Sequence, residues 1–152
     1  MGAVYFYHLT HSGVETTLSM LIERSLQAGW CVAVRAPDAA RLKQLDEALW
    51  LGDDDKFLPH GLAGGPHDAL QPVLLTTGSE TPNAATCVMS VDGAAITPDE
   101  VARLERGCVL FDGSDPAALA AARVQWKSLT DAGVSAQYWS EESGRWQKKA
   151  ER

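Results

Sequence analysis

Little in this chain supports chemistry of its own. The three cysteines, Cys31, Cys87 and Cys108, lie far apart in Val- and Leu-rich runs without Cys-x-x-Cys spacing. That argues against a disulfide framework or a paired-thiol metal site and predicts reduced, buried thiols. No apolar run approaches the roughly 20 residues that cross a bilayer. The opening residues, Met1 to Tyr5, lack a basic region followed by an apolar stretch, so a soluble, cytoplasmic protein without a membrane partner is expected. Positive charge is scarce as well: 13 Lys and Arg against 20 Asp and Glu leave a formal charge of -7. Phosphate backbones are held by Lys and Arg, so direct nucleic-acid binding is not expected.

Glycine-rich phosphate loops are missing too. After the first strand comes His8-Leu9-Thr10-His11-Ser12-Gly13, with one glycine, and no segment closes on the Lys-Ser/Thr of a phosphate loop. There is no Gly-x-Ser-x-Gly elbow, and no cysteine sits in the polar setting that favours a thiolate. His8 and His11 lack metal-ligand spacing, as do His60, His67 and Asp68 around the glycines of residues 59–66. Asp53, Asp54 and Asp55 are consecutive, whereas calcium loops space their ligands by two, so they read as a solvated acidic loop. No metal, cofactor or catalytic residue is expected. The catalytic alternative is a small nucleotide- or metal-dependent α/β enzyme working from His60, His67 and Asp68.

What is present is alternation. With 152 residues, 45% of them hydrophobic, the chain can bury one core, and a single domain over 1–141 is expected, with a charged tail at 142–152 that frays unless it docks. Strand-like runs at 4–7, 31–35, 72–77, 87–91, 108–111 and 136–140 alternate with helical patterns at 14–28, 39–49, 98–106 and 116–132. Gly29 stops the first helix, Asp38 caps the second, and Pro116 suits the first turn of the last. Residues 52–71, with their acidic run, prolines and glycines, read as a long irregular connection. Repeated βα units predict a mainly parallel sheet with helices on both faces, Rossmann-like but without a dinucleotide motif.

One stretch is more individual. Leu45-Asp46-Glu47-Ala48-Leu49-Trp50, followed by Phe57-Leu58-Pro59-His60-Gly61-Leu62-Ala63-Gly64, resembles the chi subunit family of bacterial DNA polymerase III. The Val4-Tyr5-Phe6-Tyr7 strand and the helix through Arg123-Val124-Gln125-Trp126-Lys127 fall where the family has theirs. The resemblance is firm over 45–64 and looser elsewhere. It implies a non-catalytic α/β subunit of the clamp-loader assembly that binds the acidic C-terminal tail of single-stranded-DNA-binding protein. By the same resemblance, Trp50 and Phe57 fall where the family meets its psi subunit, or an equivalent clamp-loader or helicase partner. As a bare residue, Trp50 is equally suited to closing the core beneath the loop.

The tail-binding positions fall on Arg123, Trp126 and Lys127. On a helix, Arg123 and Lys127 stand at i,i+4 with Trp126 at i+3 from Arg123, so one face offers two cations and an aromatic wall. An acidic peptide ending in an apolar residue with a free carboxylate needs such a combination. The alternative places Trp126 in a core stripe with Leu119, Ala122 and Leu129, leaving the two cations merely solvated. Two positions depart from the family: a further basic position falls on Leu119, and an apolar pocket position falls near Asp112.

Overall fold

The computed structural model describes residues 2–11, 13–50, 60–64, 68–78, 83–141, 143 and 145–152. Strand β1 (Ala3–Leu9) leads through α1 (Val14–Gln27) to β2 (Val32–Arg35), and α2 (Ala39–Trp50) leads to the short β3 (Gly61–Leu62) and to β4 (Val73–Thr76). Then come β5 (Cys87–Val91), α3 (Pro98–Val101), β6 (Arg106–Asp112), α4 (Pro116–Asp131), β7 (Ser135–Ser140) and β8 (Gln147–Glu151). Among the described residues these strands form one sheet in the order β3-β4-β2-β5-β6-β1-β7-β8. Every pairing is parallel except that of β7 with β8. The mainly parallel α/β sheet is the one the sequence predicts.

Local chemistry sets the helix ends. Gly29, at φ +85°, takes the left-handed conformation that closes α1. The Asp38 carboxylate accepts from the Arg41 amide at 2.8 Å, and that of Asp115 accepts from the Ala117 amide at 3.0 Å, with Pro116 behind it. Crossover handedness then distributes the layers. The steps β1 to β2 and β2 to β4 run toward one edge, and β5 to β6 and β6 to β7 toward the other, so right-handed connections put α1 and α2 on one face and α3 and α4 on the opposite one. The core follows suit. Leu18, Leu21 and Ile22 of α1 pack with Leu42, Leu45 and Leu49 of α2 over β2, β4 and β5. On the other face Ala122 and Leu129 of α4 pack with Val4, Phe6, Val109 and Phe111.

At the centre of the sheet one charge is buried. Arg35 is 4% exposed. Its Nε donates to Gly78 O at 3.0 Å, and its Nη1 reaches Ala95 O at 3.0 Å and Glu100 Oε1 at 2.5 Å. The guanidinium thereby ties the end of β2 to the segment that enters α3.

The structure departs from the sequence expectations in three places, and the tail takes the docked one of its two expected outcomes. The helix expected over 98–106 is a single turn, because the amides of Glu105 and Arg106 already join Thr86 O at 2.7 and 3.3 Å to start the β5–β6 ladder. Gly61 and Leu62, inside the segment expected to be irregular, pair in parallel with Leu74 and Leu75. The tail docks: Gln147–Glu151 is a strand on β7, despite its composition. All three cysteines are free, but Cys31 is half-buried where the sequence suggested burial.

Candidate functional site

Helix α4 turns Ala122 and Leu129 into the core and leaves Arg123 and Lys127 exposed. Trp126 lies between these two faces. Its ring meets Phe6 edge-on at 5.3 Å and Tyr138 at 6.0 Å, with near-perpendicular planes, the geometry favoured by aromatic quadrupoles. The Tyr138 hydroxyl is hydrogen-bonded to His8 Nδ1 at 2.7 Å, and the His8 ring packs on Phe111 at 5.3 Å. Trp126 is thus backed by an aromatic cluster rooted in β1, β6 and β7 and has little freedom to shift.

Beside it runs an open groove of ≈ 340 Å³, lined by Arg123, Trp126, Tyr138, Ala150, Glu151 and Arg152. Trp126 packs on the core and also walls the groove. Lys127, one turn beyond Arg123, is exposed but does not line the groove. Leu119 is half-buried against the core. Asp112 is exposed, and the hydroxyl and amide of Ser114 donate to it at 2.6 and 2.9 Å, which holds its carboxyl below the usual range. Where the sequence departs from the family, the molecule accordingly presents an aliphatic side chain and an ionised carboxylate.

Of the other positions singled out in the sequence, Phe57, His67 and the side chain of Trp50 lie outside the described residues. Trp50 is the last residue of α2. The His60 side chain is buried, with Nε2 3.1 Å from Asp46 Oδ1 on α2. Asp68 accepts from the Gly64 amide at 2.9 Å. Each is engaged in local structure, His60 under α2 and Asp68 in the turn after β3.

Neighbouring strands send their crossovers in opposite directions between β2 and β5 and again between β1 and β6, the places where a doubly wound sheet offers a ligand crevice. At the β1–β6 position side chains of the protein bridge the strand ends. Glu141, 5% exposed at the end of β7, accepts from the amides of Thr10 and His11 at 2.9 and 2.8 Å. These amides belong to the β1–α1 loop, where such folds hold phosphate. Across the same crevice, a Cβ on Gly113 would fall 1.9 Å from His8 Nε2. Glu141 and His8 thus pack closely at the β1–β6 end of the sheet.

Sequence reasoning missed Tyr138, Ala150 and Arg152 as lining residues. Tyr138 had a signal, in the alternation Ala136, Tyr138, Ser140 of a strand whose partners are buried. The β8 residues had none, because pairing and not composition makes them a strand.

The class of protein is thus a doubly wound α/β domain whose late helix walls a groove with an arginine and a tryptophan. Residues 1–137 match the family described as DNA polymerase III chi subunit, HolC, and the chain belongs to that family of replication accessory subunits. It is also 24% identical over 98 residues to a protein of Rickettsia prowazekii (strain Madrid E) described as a probable DNA polymerase III subunit chi. That alignment covers 64% of this chain and 56% of the relative, so the match spans little more than half of the relative's length. Among the described residues no helix is long and apolar enough to cross a membrane.

Proposed function

We propose that this protein is a non-catalytic subunit that tethers the clamp loader to single-stranded-DNA-binding protein by holding the acidic C-terminal tail of the latter along α4. The supporting observation is the groove in which Arg123 stands beside the anchored Trp126 ring. The arginine suits a carboxylate, the ring and Tyr138 suit the apolar side chain that precedes it, and Lys127 adds charge at the rim. Micromolar affinity, about 8 kcal/mol, is sufficient, because coated DNA presents many tails together. In this reading the end of α2, with Trp50 and Phe57, meets the psi subunit or an equivalent clamp-loader or helicase partner, and the setting is cytoplasmic.

The test is capture of full-length single-stranded-DNA-binding protein against a form lacking its acidic tail, at low and at moderate salt. Retention of the full-length form alone, weakening with salt, is expected. Equal capture of both forms would remove the tail from the mechanism. Trp50→Ala and Phe57→Ala are expected to weaken the psi contact and leave tail capture unchanged, which a three-component pull-down reads directly.

A further inference from the structure

The edge strand β8 carries a consequence for the groove that α4 alone does not suggest. In an antiparallel pair, side chains alternate between the two faces of the sheet. Tyr138, whose ring packs on Trp126, is opposite Ala150, and Gln137 is opposite Glu151. Arg152 continues the ladder: its amide donates to Ala136 O at 2.8 Å and its carbonyl accepts from the Ala136 amide at 3.0 Å. Ala150 and Arg152 therefore share the α4 face with Tyr138, and Glu151 is turned to the other. There its carboxylate accepts from Gln137 Nε2 at 2.7 Å and lies 3.4 Å from Lys148 Nζ. Among the described residues Glu151 is the only acid that lines the groove, its carboxylate is paired on the far face, and alternation turns the Arg152 side chain inward.

We propose that β8 is the second wall of the peptide receptor and that Arg152 is its second cation, engaging the carboxylates of an acidic peptide from the side opposite Arg123. This rests on the tail-binding reading above and adds to it the residue that completes the site. It also accounts for the two departures on α4 and β6: with Leu119 aliphatic and Asp112 acidic, positive charge along the helix ends at Arg123 and Lys127, and the sheet edge supplies the rest. Two guanidiniums flanking an aromatic floor would grip the terminal carboxylate and an upstream acidic side chain together, with the apolar side chain pressed between Trp126 and Tyr138.

Because Arg152 joins the ladder through its backbone, side-chain substitution leaves those bonds in place. The test titrates a fluorescent acidic peptide, ending in Pro-Phe with a free carboxylate, into the parent protein and into Arg152→Ala, Arg152→Gln, Arg152→Lys and Lys148→Ala. Thermal melts of each variant check the fold. Loss of about tenfold in affinity is expected for Arg152→Ala and for Arg152→Gln, which keeps much of the stem without the charge. Arg152→Lys should recover most of it, and Lys148→Ala, which removes the same charge from the far face of the same strand, should stay within about twofold. Binding by Arg152→Ala and Arg152→Gln equal to that of the parent would overturn the assignment and leave the Arg123 site standing. Equal losses in Arg152→Ala and Lys148→Ala would overturn it by reducing the effect to net charge. A parent protein that fails to bind the peptide overturns the tail-binding reading and this assignment together.

Discussion

The middle of the sheet and its C-terminal edge are built on opposite plans. Every residue of β2, β4 and β5 is buried, whereas all five of β8 are exposed. In the middle, apolar runs covered on both faces leave one arrangement that excludes water, and the single charge admitted there, Arg35, is matched by Glu100 and two carbonyls. At the edge, Gln147-Lys148-Lys149-Ala150-Glu151 has little propensity for a strand and is held by pairing with β7. Lysines on an edge strand also discourage unwanted pairing with other chains. The middle is built for stability, and the edge leaves room for a partner.

The sharpest way to break this contrast is at Arg35. Arg35→Met strands Glu100 and leaves two carbonyls without their donor, so a loss of about 3 kcal/mol or more is expected in urea unfolding. A loss under 1 kcal/mol would show that the buried pair does not hold the centre. Glu141→Ala comes next, since two amides of the β1–α1 loop lose a charged acceptor, with about 2 kcal/mol expected. Hydrogen exchange at Thr10 and His11 would locate the damage, and unchanged protection there would contradict the role given to Glu141.

At the edge the order of effects reverses, from stability to binding. Arg123→Ala should change stability by no more than about 0.5 kcal/mol, yet weaken tail binding by about fivefold to tenfold. Matched thermal melts and peptide titrations separate the two. The smallest effect concerns pH. Burial alone would raise the Glu15 carboxyl, but its own amide and the Arg41 guanidinium, 2.9 Å away, outweigh this and hold it below the usual range. A carboxyl lowered in the folded state contributes stability above the ordinary carboxylate range and loses it as pH falls through the folded value. Glu15 is 41% exposed, so the contribution is under about 1 kcal/mol. Glu15→Gln should therefore flatten the acid limb of a stability-versus-pH curve slightly, and an unchanged limb would remove the pair from the ledger.

The same contrast governs what was legible in the sequence. Val32 to Arg35, Val73 to Thr76 and Cys87 to Val91 announce themselves, because a strand buried on both faces is apolar over most of its length. The caps at Asp38 and Asp115 and the stop at Gly29 were equally readable, since each answers a local backbone need. β8 was not, because its strand state depends on backbone partners contributed by Ala136 to Ser140. α3 is shorter than the helical pattern over 98–106 because Leu104 is buried by the turn that feeds β6. Of the residues lining the candidate groove, Arg123 and Trp126 are singled out by helix spacing and resemblance. Tyr138 and Arg152 join them only when the β7–β8 pair is folded beside α4.

The most direct test titrates parent and Arg123→Ala protein with one acidic peptide ending in Pro-Phe, as the free acid and as the C-terminal amide, at low salt. Saturable micromolar binding of the free acid, weakened by amidation and by loss of Arg123, is the predicted result. Equal binding of acid and amide, or equal affinity of Arg123→Ala and parent, would contradict it.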